Sequence, residues 1–382
     1  MSEKIKNSQP ETRLRVAIIG SGMIGDVHRR AAILAGGDVV GVMASTPERS
    51  EIAAARWRTK AVSGLTKLAD FAPDVVHVCS PNALHLEHVK AALECGAHVI
   101  CEKPLAIDAR SARDICDAAA ARGRIATVPF VYRFHPLIRE IRSRVQDGEF
   151  GKWQLLHGSY LQDWLLSPQT TSWRVDSKIG GTSRAFADIG SHWCDLVEFV
   201  SGEKIAAVMA SMTTTVLERP ANSTATFGGE RSPGEMMKVD TEDAVVVTFK
   251  TEKGVLGVVT ISQVSAGRKN RLWFELDGSE KSVVFDQESP ETIWIGSEGA
   301  ASVVNRDPSR GALDQRRLSV LPPGHPQGYA QCFDNFVNDT YSAVKGEIHD
   351  GLPLFADGYR SACIVEAVIQ AARSRQWVDV KN

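Results

Sequence analysis

The sequence of 382 residues lacks the features of several protein classes. Its seven cysteines include no C-x-x-C pair, so neither structural zinc nor a disulfide framework is expected, and reduced thiols fit a cytoplasmic location. No run of about 18 apolar residues occurs, and the polar N-terminus lacks the apolar segment of a secretory signal, so we expect no membrane partner. Lys and Arg number 44 against 46 Asp and Glu, a balance that does not favour nucleic acid as a partner.

The composition that is present, 43% hydrophobic and 24% charged, is that of a globular protein with a large core. Residues 1–12 are polar and predict a disordered tail. Between residues 13 and 134, continuously apolar runs alternate with amphipathic stretches, which predicts a doubly wound parallel α/β domain. The predicted strands are Leu14–Ile19, Val39–Met43, Val75–Cys79, His98–Cys101 and Ile125–Pro129, and the predicted helices Met23–Leu34, Pro47–Trp57, Leu84–Cys95 and Ile107–Ala121.

Residues 135–382 follow a different pattern, rich in β-segments that short turns such as Glu252–Gly254 and Asp277–Ser279 separate. Because short turns connect only antiparallel neighbours, this part predicts an α+β domain with a mainly antiparallel sheet. Residues 215–240 are polar, rich in turn residues and predict a long loop. The predicted strands are Lys152–Tyr160, Ala206–Thr214, Ala244–Phe249, Val255–Ser262, Arg271–Leu276 and Ser282–Phe285, and the helices Ile189–Val200, Tyr329–Lys345 and Asp357–Ser374.

A glycine motif, G-S-G-M-I-G, connects the first predicted strand to the first helix. Gly20 permits the tight turn, Gly22 lets a pyrophosphate approach the backbone, and Gly25 allows the helix to pack closely on the strand. Met23 and Ile24 open the helix, whose N-terminus offers N–H groups to phosphates. The position between a buried strand and a helix makes a dinucleotide site the favoured interpretation over a plain turn.

The end of the second strand bears on the choice between NAD and NADP. NAD-selective sites carry Asp or Glu about 20 residues after the motif, whereas this strand ends in Ala44, Ser45 and Thr46. A carboxylate about 4 Å from a 2′-phosphate would cost about 4 kcal/mol per unit charge at an effective dielectric of 20. Its absence, with Arg49 nearby, slightly favours NADP; NAD bound without a ribose acid is the alternative.

Two later strand ends are predicted to reach the same edge of the sheet. Ser80, Pro81 and Asn82 would form a turn beside the nicotinamide ribose, although Asn82 equally fits a helix cap. His85 belongs to the same cofactor segment, and we expect it and His88 at the surface, without the further ligand that a metal site needs.

Glu102 and Lys103 follow the fifth strand, beside Pro104. A lysine at this edge, next to the predicted cofactor, can hydrogen-bond a hydroxyl and stabilise an alkoxide. The alternative for Lys103, a solvated surface charge, is less consistent with its position.

Asp188 and His192 form the informative cluster of the second domain, spaced i, i+4 on one helix face with Gly190 leaving room between them. Histidine suits removal of a hydroxyl proton near neutral pH, and Asp188 can orient the hydroxyl or the imidazole. The alternatives are a helix cap for Asp188 and a satisfied core histidine for His192. Combined with Lys103, the pair favours catalysis.

Aromatic and polar side chains that precede this cluster suit a sugar, whose C–H faces stack on rings while its hydroxyls need directed hydrogen bonds. Packing at the domain interface explains them equally well. The candidates are Arg133, Tyr160, Gln162, Trp164 and Arg174, with Tyr132 and Trp173 beside them.

Taken together, the motifs resemble the glucose–fructose oxidoreductase, inositol dehydrogenase and rhizopine-catabolism (Gfo/Idh/MocA) family. The resemblance implies an N-terminal Rossmann domain and an open-faced C-terminal sheet that binds substrate and mediates homodimer or homotetramer contacts. It also implies hydride transfer between NAD(P) and a ring hydroxyl of a sugar, anhydrosugar or cyclitol, with Lys103, Asp188 and His192 as the catalytic set. The segment from Tyr160 to Arg174 is similar to the branch of levoglucosan and 3-keto-forming sugar dehydrogenases.

The same resemblance leaves two other functions open. One is a cofactor-bound sugar sensor without catalysis, which would not need Lys103, Asp188 and His192 together. The other is a redox-neutral, NAD-using glycosidase, which would release a sugar with no net change in nicotinamide absorbance.

Overall fold

In the computed structural model, which describes residues 13–221 and 235–381, the first part of the chain forms a six-stranded parallel sheet. The strand order is β3-β2-β1-β4-β5-β6, and every neighbouring pair is parallel. This is the predicted Rossmann arrangement. The strands are β1 Arg15–Ile19, β2 Asp38–Met43, β3 Lys60–Ala61, β4 Val75–Val78, β5 His98–Cys101 and β6 Ala126–Thr127, and the helices are α1 Met23–Leu34, α2 Pro47–Trp57, α3 His85–Glu94 and α4 Ala109–Arg122.

Local sequence explains where these helices begin. Thr46 caps α2 by accepting a hydrogen bond from the backbone of Arg49, and Asp108 caps α4 in the same way. The bounds of α1 and α2 match the prediction, whereas β6 is shorter than the predicted strand and β3 was not predicted. The predicted tail at residues 1–12 lies outside the described residues.

The second part of the chain forms a nine-stranded sheet of order β16-β15-β14-β13-β7-β12-β11-β8-β17. All neighbouring pairs are antiparallel except β12 with β7, so the prediction of a mainly antiparallel sheet is confirmed. The strands are β7 Trp153–Leu161, β8 Ile205–Thr213, β11 Ala244–Thr251, β12 Leu256–Ser262, β13 Arg271–Gly278, β14 Ser282–Asp286, β15 Thr292–Gly296, β16 Ala301–Asn305 and β17 Val378–Asp379.

The helices of this part are α5 Pro136–Gln146, α6 Ser177–Gly180, α7 Ser191–Ser201, α8 Leu313–Leu318, α9 Tyr329–Val344 and α10 Phe355–Ser374. Helix α5 was not predicted, because its first half buries two charged residues, Arg139 and Glu140, that a sequence pattern assigns to the surface.

The region predicted as a long loop, residues 215–240, is irregular only in part. The strand β9 Glu218–Pro220 pairs antiparallel with β10 Met236–Lys238. Residues 222–234 of the predicted loop lie outside the described residues.

One face of the nine-stranded sheet packs against α7 and α10, and the other carries half-exposed apolar side chains. Side chains along β13 alternate between buried and partly exposed, as a sheet with one covered face requires. The open face is therefore as predicted; the homo-oligomer inferred from it stays a prediction. Exposed apolar residues on its strands are Leu155, Met209, Val246, Leu256, Val258, Trp294 and Val303.

The seven cysteines lie in the described part of the chain and form no disulfide. Among the same described residues, no helix is both long and apolar enough to cross a bilayer.

Candidate active site

A cavity of about 800 Å³ opens along the carboxyl ends of the parallel strands and continues to the covered face of the nine-stranded sheet. Its walls come from both parts of the chain, with Gly20 and Lys103 on one side and Asp188, His192 and Tyr329 on the other. The motifs that are distant in sequence thus converge on one space, in the crevice where open α/β sheets bind ligands.

At one end of the cavity the glycine turn leaves no room for side chains. Gly20 has a φ of +112°, and a Cβ there would lie 2.5 Å from the carbonyl oxygen of Cys79. A Cβ on Gly25 would lie 2.1 Å from the carbonyl oxygen of Gly20. Gly22 caps α1 without a side-chain hydrogen bond, so the first-turn N–H groups can serve an anion. These residues fit the pyrophosphate of a dinucleotide.

The end of β2 lines the same part of the cavity through Ala44, Ser45 and Arg49. The Arg49 Nη1 donates to Ser45 Oγ over 3.0 Å, and both side chains are exposed. Thr46 does not line the cavity, and its hydroxyl caps α2 by accepting from the backbone N–H of Arg49 over 3.2 Å. Its contact with the cofactor stays a prediction.

The turn Ser80-Pro81-Asn82 lines the cavity next. Asn82 is buried and its Nδ2 donates to the carbonyl oxygen of Gly180 over 2.9 Å, so it does not cap α3. This bond ties the turn after β4 to α6 from the other part of the chain.

The expectation of surface positions for His85 and His88 is wrong. His85 is fully buried behind the cavity wall, where its Nε2 contacts the carbonyl oxygen of Ser80 at 2.8 Å and its Nδ1 that of Pro104 at 3.0 Å. It joins the two loops instead of lining the cavity itself. His88 lines the cavity, with its Nδ1 2.8 Å from Ser80 Oγ.

Lys103 and Asp188 meet across the cavity. Lys103 Nζ donates to Asp188 Oδ1 over 2.7 Å and to the backbone oxygen of Asp188 over 3.0 Å, while Gln263 donates to Asp188 Oδ2 over 2.8 Å. Burial alone would raise the pKa of Asp188, but the Lys103 ammonium and the Arg174 guanidinium hold this pKa well below its usual range. The carboxylate is thus ionised and anchors the ammonium at a fixed point.

His192 lines the cavity beside this pair and is 7% exposed. Its ring makes edge contacts with the rings of Phe130 and Tyr132, and its buried Nδ1 has no hydrogen-bond partner among the described residues. Burial, and then the Lys103 ammonium, lower the pKa of His192 well below its usual value. The imidazole is therefore neutral near pH 7 and able to accept a proton.

The local backbone that carries Asp188 differs from the predicted helix. Residues Phe186–Gly190 form a single π-helical turn before α7, a device often found at functional sites. Asp188 lies within this turn, so it is not a helix cap. The space beside Gly190 is filled by the Phe186 ring, since a Cβ on Gly190 would lie 2.6 Å from it.

The far end of the cavity holds a closed network of hydrogen bonds. Tyr160 OH donates to Asn270 Oδ1 over 2.7 Å, Gln162 Nε2 donates to the same oxygen over 2.8 Å, and Asn270 Nδ2 donates to Tyr132 OH over 3.1 Å. The two phenol oxygens are 2.7 Å apart. With Trp173 beside them, these groups offer polar atoms and a ring face to a ligand.

Two of the residues predicted to contact substrate do not line the cavity. Arg133 does not line the cavity, because its guanidinium is buried in ion pairs with Asp195 and Asp357. Trp164 is partly exposed, and its Nε1 donates to Gln162 Oε1 over 3.0 Å. Tyr160, Gln162 and the rest of the predicted set line the cavity.

Sequence reasoning missed several residues of the site. Asn270, Lys269 and Tyr329 line the cavity, and Gln263 holds Asp188. None belongs to a local motif, and only the tertiary fold brings them to the site.

One group of potential metal ligands occurs among the described residues. His157, Glu275 and Asp277 place ligand atoms within 4.8 Å of one another, on the open face of the nine-stranded sheet. They alternate with buried residues such as Leu276, so they do not belong to the cavity.

Comparison with known proteins agrees with this geometry. Residues 14–130 match the model of an oxidoreductase family with an NAD-binding Rossmann fold, and residues 138–284 match a GFO/IDH/MocA C-terminal domain. Levoglucosan dehydrogenase of Pseudarthrobacter phenanthrenivorans is 32% identical over 325 residues, covering 80% of each chain. D-glucoside 3-dehydrogenase of Escherichia coli is 31% identical over 52% of this chain and 57% of its own.

A solved structure of a levoglucosan dehydrogenase in complex with NADH and levoglucosan is similar as well. It has a TM-score of 0.86 and 28% identity, and the match covers 97% of this chain and 100% of the other. The fold is thus shared over nearly the whole length of both chains. The chain is an oxidoreductase of the Gfo/Idh/MocA family, as its motifs predicted.

Proposed function

We propose that the protein oxidises a ring hydroxyl of a sugar, anhydrosugar or cyclitol with NAD or NADP as acceptor. The observation that carries the proposal is the contact between Lys103 and Asp188 beside His192, in a cavity whose other end is the glycine turn. Relatives named levoglucosan dehydrogenase and D-glucoside 3-dehydrogenase support a carbohydrate substrate of the 3-keto-forming type.

Each member of the set has a distinct task in this reaction. The bound dinucleotide supplies the acceptor for the hydride that leaves the carbinol carbon. His192, neutral because its pKa is lowered, takes the proton from the hydroxyl oxygen. Lys103 donates a hydrogen bond to the same oxygen and stabilises its negative charge as the C–H bond breaks and the carbonyl forms. Asp188 positions the ammonium, and the network around Asn270 orients the other hydroxyls.

A substrate panel tests this proposal. Monosaccharides, anhydrosugars and inositols are each incubated with NAD and with NADP, and the absorbance of the reduced nicotinamide is followed. Steady formation of reduced dinucleotide with a polyol is the expected result. Release of a sugar without net reduction would indicate the glycosidase, and dinucleotide binding without any redox change would indicate the sensor.

The pH dependence of kcat/KM follows from the environment of His192. A base must be deprotonated to act, and an ordinary histidine has a pKa of about 6.5. Because burial lowers the pKa of His192, we expect kcat/KM to stay level through pH 6.5 and to fall only at lower pH. Asp188 cannot produce a fall near pH 6, since its pKa is held below the ordinary carboxyl value of about 3.9. A limb centred above pH 6.5 would contradict the assignment.

For the cofactor, we propose that the Ser45 and Arg49 side chains bind the 2′-phosphate of NADP, so that NADP is used and somewhat preferred over NAD. This proposal is supported by the Arg49 guanidinium at the edge of the cavity and by Ala44, which stands where an NAD-selective site carries a carboxylate. The similar levoglucosan dehydrogenase binds NADH in its complex, so both dinucleotides belong in the test.

Ala44→Asp is expected to shift any preference from NADP toward NAD by at least about five-fold in kcat/KM. The new carboxylate would repel the phosphate by about 1 kcal/mol in bulk water and more where solvent is excluded. The ratio of kcat/KM with NADP to kcat/KM with NAD is measured for the wild type and for each variant. Ala55→Asp, on an exposed face of α2 away from the cavity, adds the same charge and should leave the ratio unchanged. An unchanged ratio in Ala44→Asp would mean that the ribose lies elsewhere.

A further inference from the structure

A chain of four buried polar side chains leads away from the cavity. Glu102 Oε1 contacts His28 Nε2 at 3.0 Å, His28 Nδ1 contacts His77 Nδ1 at 2.9 Å, and His77 Nε2 contacts Tyr341 OH at 2.9 Å. Both imidazoles are fully buried, and Tyr341 is 2% exposed. The reaction proposed above makes no use of these groups. Buried polar groups carry a desolvation cost, so a continuous chain of them calls for an explanation.

The cavity end of this chain is attached to Lys103. Glu102 Oε2 accepts a hydrogen bond from the backbone N–H of Lys103 over 3.1 Å. Burial would raise the pKa of Glu102, but the hydrogen bond from His28 and its charge lower this pKa below its ordinary value. Glu102 is thus ionised and acts only as an acceptor. Lys103 is held twice, by Asp188 at its ammonium and by Glu102 at its backbone.

The number of hydrogen atoms available for these contacts makes the four side chains depend on one another. The carboxylate of Glu102 only accepts, so His28 donates from Nε2. Burial lowers the pKa of His77 well below its usual value, so this ring is neutral and carries one N–H. The two facing Nδ1 atoms need one proton between them. Whichever ring supplies it, loss of the Tyr341 oxygen leaves His77 Nε2 without a partner, and loss of His77 leaves His28 Nδ1 without one.

The chain also joins separate elements of the fold. His28 lies on α1, His77 on β4 and Glu102 just after β5, whereas Tyr341 lies on α9 from the second part of the chain. The rings of His28 and His77 pack edge to face, as do those of His77 and Tyr341, so the side chains fit in one orientation. A helix remote in sequence therefore fixes the carboxylate behind the lysine.

We propose that His28, His77 and Tyr341 are positioning residues for Lys103, acting through Glu102 on the lysine backbone. The proposal rests on the dehydrogenase function, because it concerns the placement of the ammonium beside the reacting hydroxyl. Removal of the outer partners that orient metal ligands typically costs about 10–100-fold in activity, and we expect an effect of the same order for the partners of Glu102. The effect falls on kcat, since His28, His77 and Tyr341 do not line the cavity, and only Glu102 at the end of the chain does.

The test compares four variants with the full-length wild-type protein. Tyr341→Phe removes one oxygen atom and preserves the ring. His77→Leu removes both ring nitrogens. His77→Asn places a side-chain amide, which can donate or accept, at the position of Nδ1. Tyr359→Phe is the matched control, because Tyr359 lies on α10 and its hydroxyl accepts from Arg113 away from the cavity. Dinucleotide Kd and thermal unfolding are measured for each.

Kinetics with substrate deuterated at the oxidised carbon distinguish positioning from mere stability. We expect Tyr341→Phe and His77→Leu to lower kcat about ten-fold, to raise the isotope effect on kcat, and to leave KM and dinucleotide Kd unchanged. His77→Asn provides a partner for His28 Nδ1 but none for the Tyr341 hydroxyl, so it should recover only part of the loss. A fall in kcat that only tracks the unfolded fraction, with an unchanged isotope effect, would overturn the proposal, as would an Asn variant as impaired as the Leu variant.

If the wild-type protein oxidises no polyol, the proposed function fails, and the positioning role is then read from a crystal structure of Tyr341→Phe. Loss of the contacts from Lys103 to Glu102 and Asp188 would support it. Unchanged contacts in that variant would overturn it.

Discussion

His192→Ala lowers kcat by about 10²–10⁴, the range typical for loss of a general base, while dinucleotide binding is retained. The imidazole lines the cavity beside Lys103 and Asp188, and its burial keeps it neutral and ready to accept the hydroxyl proton. The glycine turn that would hold the dinucleotide is formed by another part of the chain. Removing the ring therefore removes proton transfer without touching that turn. The measurement is kcat with the best polyol of the panel, together with dinucleotide Kd by fluorescence titration.

The control for this variant is His325→Ala, because His325 is exposed and remote from the cavity. It should keep wild-type kcat. Near wild-type turnover in His192→Ala would refute the role of the imidazole as base.

Lys103→Met is expected to lower kcat/KM by about 10²–10³, the effect of removing one donor to a developing oxyanion. Its second effect is on stability. The variant leaves the Asp188 carboxylate buried without its ammonium partner, and such losses typically cost about 3–5 kcal/mol. Gln263 and Arg174 remain near Asp188, so the lower end of that range is expected.

The destabilisation depends on pH in a direction that follows from Asp188. In the wild-type protein its pKa is lowered, so the ion pair stabilises the fold above the ordinary carboxyl pKa of about 3.9 and is lost as pH falls through the lowered value. Without Lys103, burial raises the pKa of Asp188, and the cost appears at neutral pH. The difference in Tm between wild type and variant should therefore be largest near pH 7. It should shrink as pH falls and protonation removes the unpaired charge of the variant, and it should disappear only below pH 4, where the wild-type ion pair is lost as well.

A double variant separates the two effects of Lys103. Asp188→Asn in the Lys103→Met background removes the unpaired charge, so it should restore much of the stability and none of the activity. Lys67→Met, which removes an exposed ammonium, is the control and should change neither. Wild-type kcat/KM in Lys103→Met would contradict the assigned role.

The parts of this site that the sequence could predict are those that local backbone chemistry specifies. The backbone just after the first buried strand has a positive φ, which favours glycine at position 20. Lys103 follows another buried strand of the same parallel sheet, so both residues lie at the same edge of that sheet. The helices whose caps lie in the sequence, such as α2 after Thr46, were also predictable.

The remaining parts depend on tertiary contacts that no local pattern contains. Asn270 belongs to the site because β13 pairs with β7 and brings it to Tyr160, and Gln263 because it lies just beyond β12, next to β7 in the sheet. Arg133 was assigned to the cavity by its position at the domain junction, yet Asp195 from α7 draws its guanidinium into a buried ion pair. His85 was assigned to the surface, but two backbone carbonyls stabilise its buried ring.

A crystal structure of the dead-end complex with reduced dinucleotide and the preferred polyol is the sharpest test of how this cavity works. One ring hydroxyl should lie within about 2.6–3.2 Å of both Lys103 Nζ and an imidazole nitrogen of His192, with its carbon facing the nicotinamide. A polyol whose hydroxyls all lie beyond reach of one of these two groups would contradict joint catalysis by residues from the two halves of the chain.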